Sequence, residues 1–379
     1  MSVCYTHILL KITLVTMNNN NNNNSNNNNN NQLFLFRTPF NGYSVKFSPF
    51  FSDRIACSAS QNFGIVGNGH QYILSKQDKE QEQNNTNFNQ KQLKEVQRFE
   101  TSDGIYDCAW SEESENVLVT CSGDGSAKLW DVARAKQQNP LRSFQEHEAE
   151  IYTVSWNAKR KDCFLTASWD DTIKLWNPRE NAHTNGSLKT FREHTYCVYA
   201  AEWSPHHADV FASVSGDCTL KIWDCRKNHS TLSIPAHDYE ILCVDWNKYN
   251  DCVVATGSVD RTVKLWDIRN PKRELSILRG HGYAVRRIKM DPFDEDICYT
   301  ASYDMTIAMW NWKIGGHEEQ NLVGNGGQRS PLLRQWRHHT EFAVGLDVSV
   351  LKRGEIASCG WDSCVHVFNA EGPAPPPIV

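Results

Sequence analysis

Five histidines in this chain of 379 residues are each followed, 23 residues later, by an aspartate. The pairs are His147 with Asp170, His194 with Asp217, His237 with Asp260, His281 with Asp304, and His339 with Asp362. A His–Asp pair is the acid–base half of a hydrolytic triad, and such side chains also ligate metals. A triad, however, needs one pair beside one nucleophile, whereas here the pair recurs at a fixed interval. Repetition points to architecture. An aspartate in a tight turn accepts from backbone amides and from an imidazole on the preceding loop, which gives buried polar groups their partners. No nucleophile elbow, phosphate-binding loop, His-Glu-x-x-His or dinucleotide fingerprint accompanies the pairs. The densest enzyme-like cluster, RHHTE at 337–341, spends one histidine on the repeat. The expectation is a binding protein with no catalytic residue, metal or cofactor.

The elements that must position these pairs are internal repeats. Segments 121–131, 167–177, 214–224, 257–267, 301–311 and 359–369 superimpose, as in CSGDGSAKLWD, ASWDDTIKLWN and GSVDRTVKLWD. Their closing aromatics are Trp130, Trp176, Trp223, Trp266, Trp310 and Phe368, spaced by 46, 47, 43, 44 and 58 residues. A period in the mid-forties ending in Trp-Asp is the WD40 signature, each copy being a blade of four short strands. A degenerate copy at 43–67 keeps the FSP turn and ACSAS strand but lacks the turn aspartate and closing Trp. Seven blades of ~45 residues need ~315, and 33–369 offers 337. The expected fold is therefore all-β, a seven-bladed propeller over residues 33–369. Ring closure must leave no long open edge, so Leu33–Arg37 is expected to supply the outer strand of the last blade.

Residues 18–31 are asparagine except for Ser25, so 1–32 is expected to be a disordered leader. Polar stretches at 75–98 and 315–331 are read as loop insertions, and 370–379 as a short Pro-rich tail. Asp124 has Thr101 where its histidine would stand, so that blade is expected to be held less tightly.

Function must then lie on a propeller face, where positions vary while the frame stays fixed. Those at the start of each inner strand are Asp103, Tyr106, Glu150, Tyr152, Tyr199, Glu240, Leu242, Arg286 and Phe342. Those just before the turn aspartate are Trp169, Val259, Tyr303 and Trp361. Together they describe an aromatic, partly acidic surface around the channel, suited to a peptide that is apolar on one side and basic at points. The balance of 39 basic against 44 acidic residues, net −5, argues against nucleic acid and favours basic partners. Thirteen cysteines without a C-x-x-C pair read as reduced, buried thiols of a reducing compartment. The apolar run near the start lacks a basic flank and a cleavage site, and no stretch approaches 18 apolar residues, so no membrane insertion is expected.

From about Arg37 to Asn369 the chain resembles the receptors for the type 2 peroxisomal targeting signal. The likeness rests on FSPFFSDRIACSASQNFGIVGNG (47–69), DGIYDCAWSEESENVLVTCSGDGS (103–126), IPAHDYEILCVDWNKYN (234–250) and HHTEFAVGLDVS (338–349), which generic WD40 repeats do not share. The degenerate first blade belongs to the same pattern, whereas the Asn-rich leader and the polar insertions depart from it. The resemblance implies a soluble receptor for an N-terminal, helical, partly basic signal on matrix enzymes such as thiolase. It further implies a peroxin-5-type or related co-receptor, a peroxisomal docking complex, and cycling between cytosol and peroxisome. The competing expectation is a WD40 scaffold subunit of a chromatin or ubiquitin-ligase complex, which tagged localisation would distinguish.

Overall fold

The computed structural model describes residues 33–76, 90–179, 186–314 and 330–372. The expectations for the leader, for the middle of both polar insertions and for the tail beyond Gly372 fall outside these ranges. Seven antiparallel four-stranded blades follow one another at 41–101, 105–145, 151–191, 198–235, 241–279, 285–336, and 343–369 with 33–37. In every blade the innermost strand comes first and the chain works outward. Blade 7 is completed from the front of the chain. Leu33–Arg37 runs antiparallel to Cys364–Asn369, with Phe34 opposite Val367 and Arg37 opposite Cys364. The same strand lies parallel to the start of Gln90–Thr101, the outer strand of blade 1, joining blades 7 and 1 into one eight-stranded sheet.

The expected insertion at 75–98 is thus narrower than the composition implied. Ser75 and Lys76 end the strand Gly69–Lys76, and Gln90–Thr101 is itself a strand. Its Gln- and Lys-rich sequence hides two inward positions, since Leu93 and Phe99 are buried while Val96 faces out. The tail also starts inside the fold: the Ala370 amide donates to Gly354, and Arg334 donates to the carbonyls of Ala370 and Gly372.

Neighbouring blades bury their facing sides against each other. Leu165, Ile173 and Phe191 of blade 3 pack on Trp203, Phe211 and Trp223 of blade 4. Full burial of one such side chain is worth roughly 1.5–3 kcal/mol, and the arrangement repeats around the ring.

Each frame pair closes through two further side chains. In blade 3 the Trp176 indole donates to Thr166 at 2.8 Å, whose hydroxyl meets His147 Nε2 at 2.7 Å, and His147 Nδ1 meets Asp170 at 2.7 Å. The chain Trp223–Ser213–His194–Asp217 repeats it in blade 4, Trp266–Thr256–His237–Asp260 in blade 5 and Trp310–Thr300–His281–Asp304 in blade 6. The aspartate also caps the turn, as Asp170 does for the amides of Glu148 and Thr172. The residue after it takes the left-handed conformation, with φ of 65° at Asp171 and 72° at Arg261. Such backbone is unfavourable for non-glycine residues, and the aspartate's bonds hold it in place. Blade 7 has Phe368 where the indole would be, and the His338 ring replaces it: His338 Nε2 and His339 Nε2 both reach Ser358 at 2.9 Å. In blade 2, Asp124 caps Ser126 and pairs with Lys128 at 3.1 Å in place of an imidazole.

Candidate functional site

The loop entering each blade and the turn between its second and third strands lie at one end of the sheet, tied by backbone bonds. The Trp169 amide donates to Glu150, Val259 to Glu240, Tyr303 to Ala284 and Trp361 to Phe342. The residues expected at the channel mouth are therefore brought to one face. At the bulge where each inner strand begins, Tyr106, Tyr152, Tyr199, Leu242 and Arg286 occupy the same register. Their rings meet in sequence: Tyr43 and Tyr106 at 5.2 Å between centroids, Tyr106 and Tyr152 at 5.8 Å, Tyr152 and Tyr199 at 5.6 Å. Trp169 rests on Tyr152 at 5.3 Å. On the other side of the mouth Phe342 lies between Tyr303, at 4.9 Å, and Trp361, at 5.0 Å.

The expectation of exposed aromatics needs correction. Tyr106, Tyr152, Trp169, Tyr199, Tyr303 and Phe342 are buried, and at Tyr106, Tyr152 and Tyr199 the bulge turns the ring inward onto its neighbours. Glu150 is half-buried. Aromatic side chains that do reach solvent on this face stand two residues after three of the five frame histidines: Tyr196, Tyr239 and Tyr283, exposed by 38%, 51% and 43%. A spacing of two from the frame histidine is a signal the sequence carries. Phe63, Ile65 and Val66 on the 61–68 turn of blade 1 add exposed apolar surface to the same end.

The acidic residues divide by what already holds them. Glu146 is spent on Lys174 and Ser187, and Glu193 on Ser230. Asp103 caps the Gly104 amide at 2.7 Å, and burial raises its carboxyl above the ordinary value. Among the described residues, the side-chain carboxylates of Glu150 and Glu240 have no hydrogen-bond or ion-pair partner, so they stand open to a cation brought by a ligand. At the opposite mouth a cavity of about 310 Å³ is walled by Trp110, Trp156 and Trp203. Of its charges, Lys248 meets Asp245 at 2.7 Å and Lys289 lies between Glu202 at 3.4 Å and Asp347 at 3.9 Å, whereas the side chains of Lys46 and Glu112 on the same wall have no hydrogen-bond or ion-pair partner among the described residues.

The channel between the mouths is polar. Arg287 of blade 6 pairs with Asp107 of blade 2 at 3.0 Å, an ion pair not aligned as a hydrogen bond. Burial would raise the Asp107 carboxyl, but Arg287 and Lys46 outweigh it and hold the group down at about 2. One residue earlier, Arg286 crosses the mouth and lays its guanidinium 4.4 Å from the centre of the Tyr152 ring.

Comparison with known proteins agrees with the fold. The family model "WD domain, G-beta repeat" matches residues 93–131, 138–177, 185–224, 228–267 and 272–311. The crystal structure of the WD40 β-propeller domain of Doa1 superimposes with a TM-score of 0.68 at 17% identity, covering 88% of this chain and 95% of that one. The chain is a WD40-repeat β-propeller. It is also 50% identical over 335 residues to "Peroxisome biogenesis protein 7" of Arabidopsis thaliana, covering 88% of this chain and 97% of that protein. It is 40% identical over 329 residues to the "Peroxisomal targeting signal 2 receptor" of Mus musculus, covering 87% and 94%. The chain belongs to the family of peroxisomal targeting signal 2 receptors.

Proposed function

We propose that this protein is an import receptor that binds the N-terminal type 2 targeting signal of peroxisomal matrix proteins and hands them, with a co-receptor, to the peroxisomal docking machinery. The observation that carries this reading is 50% identity over nearly the whole length of a family member. Among the described residues no helix is long and apolar enough to cross a membrane, which suits a receptor that meets its docking complex from outside the bilayer. The receptor cycles between cytosol and peroxisome, with cargo such as thiolase and a peroxin-5-type or related co-receptor.

The signal docks on the face that carries Glu150 and Glu240. Asp103, Tyr106, Tyr152, Trp169, Tyr199, Tyr303, Phe342 and Trp361 form its floor and rim. Support comes from charge: the carboxylates of Glu150 and Glu240 at this mouth have no hydrogen-bond or ion-pair partner among the described residues. A partly basic amphipathic helix finds a carboxylate for its cation and Tyr196, Tyr239 and Tyr283 for its apolar side. The purified full chain, passed over an immobilised type 2 signal peptide, should be retained and should flow past a peptide whose basic residues are replaced by glutamate. Equal retention on both peptides, or on neither, would overturn the proposal.

A further inference from the structure

Arg286 is 0% exposed, and its Nε, Nη1 and Nη2 make no hydrogen bond among the described residues. A guanidinium carries five donors and keeps its charge at any physiological pH. Burying such a group unpaired is costly, and face stacking on Tyr152 satisfies the charge but none of the donors. Its neighbour Arg287 shows the alternative, since that residue takes the nearby carboxylate, Asp107. Asp107 is further committed to the Ser44 hydroxyl and the Cys108 amide, so it has little left for Arg286. At the same register the other blades place Tyr43, Tyr106, Tyr152, Tyr199, Leu242 and Val344. Arg286 is thus the one cation in a ring of aromatic and aliphatic side chains, set beneath a rim that carries the unspent carboxylates of Glu150 and Glu240.

We infer that Arg286 forms an acceptor subsite at the axis of the face, donating to a carboxylate or carbonyl oxygen of the docked peptide while the rim glutamates take its cation. The inference rests on the receptor reading above and adds polarity to it. A peptide bearing a cation must lie with that end at the Glu150–Glu240 side and present an oxygen acceptor to the centre. A central cation also repels a basic residue placed at the axis, which fixes the register of the signal on the ring.

The test compares wild type, Arg286→Met and Arg286→Lys in the full chain, measuring melting temperature and affinity for a type 2 signal peptide. Removing an unpaired buried charge should leave the Arg286→Met melting temperature equal to or above wild type, while its affinity falls at least tenfold. Arg286→Lys keeps the charge but not the planar fork and should bind between the two. A carboxylate acceptor makes the loss shrink as salt rises. A carbonyl acceptor leaves it unchanged. A Met variant that binds like wild type overturns the inference, as does one whose lost binding accompanies a melting temperature several degrees lower. Should the Met variant fail to fold, a folded Arg286→Lys protein with wild-type affinity overturns it equally. Absence of binding already in wild type sinks the receptor reading, and this inference with it, before any variant is compared.

Discussion

Replacing Asp217 with alanine should destabilise the fold by an amount the geometry sets. Its carboxylate accepts four hydrogen bonds: from His194 Nδ1 at 2.7 Å, the Thr195 amide at 3.2 Å, the Thr219 amide at 3.0 Å and the Thr219 hydroxyl at 2.7 Å. The amides and the hydroxyl lie at the rim and regain water when the carboxylate goes. The imidazole does not, because the His194 side chain is 1% exposed and its other nitrogen is held by Ser213. An orphaned buried donor costs about 1–3 kcal/mol, and release of the left-handed Cys218 turn adds to it. A total near 3 kcal/mol, at about 2 °C per kcal/mol for a domain of this size, lowers the melting temperature by about 6 °C. Asp217→Asn keeps one acceptor oxygen and should recover about half of that loss. The pH dependence has a definite sign. Burial alone would raise the Asp217 carboxyl, but the bonds from His194 and Thr219 hold it well below its ordinary value. The stability it contributes is full above about pH 4 and lost as pH falls through its lowered folded value, so wild type and Asp217→Ala should converge in acid. Melting followed by circular dichroism at pH 7.5 and pH 3 reads both effects. An alanine variant that melts like wild type yet no longer binds the signal peptide would show that Asp217 serves the ligand and not the blade.

Two more perturbations follow from the frame. Deleting residues 1–31 should leave the melting temperature unchanged, whereas deleting through Arg37 removes the strand paired with Cys364–Asn369 and should lower it by several degrees; equal values would refute closure by that strand. His366 is buried with neither ring nitrogen hydrogen-bonded among the described residues, and burial, aided by His339, pushes it down to about 3. Its folded value lies below the ordinary one near 6.5, so the unfolded chain takes up the proton first and stability falls as pH drops from about 6.5 toward 3, by up to ~1.4 kcal/mol per pH unit. His366→Phe should flatten that slope by about one proton; an unchanged slope in urea titrations between pH 7 and 5 would count against it.

The repeat, the number of blades and the closing strand were legible because each follows from local pattern and period. The His–Asp pairs were legible for the same reason, and Thr166, Ser213, Thr256 and Thr300 could have been added, each standing ten residues before its tryptophan. The strand Gln90–Thr101 was hidden because only Leu93 and Phe99 mark its inner side amid polar residues. The face was half legible. The structure gathers its residues at one mouth, but their burial depends on rings from neighbouring blades, such as Tyr106, Tyr152 and Tyr199, that lie more than forty residues apart in the chain and meet at the bulges. Tyr196, Tyr239 and Tyr283, by contrast, were legible in principle, since each stands two residues after a frame histidine. That Arg286 lacks an acceptor depends on which side chain of blades 2 and 3 lies across the channel, and no spacing encodes it.

The central claim is that carboxylates at this mouth hold the cation of a type 2 signal. It is tested most directly by exchanging charges across the contact. Opposite charges ~4 Å apart gain about 4 kcal/mol at an effective dielectric near 20, before desolvation is subtracted, so reversing one of them should weaken binding well beyond tenfold. Fluorescence anisotropy with a labelled signal peptide should show that loss for Glu150→Lys with the natural peptide. It should show a similar loss for wild type with a peptide whose basic residue is glutamate, and recovery when the two changes are combined. Wild-type affinity in Glu150→Lys, with melting temperature unchanged, would contradict the account and move the signal to another surface of the propeller.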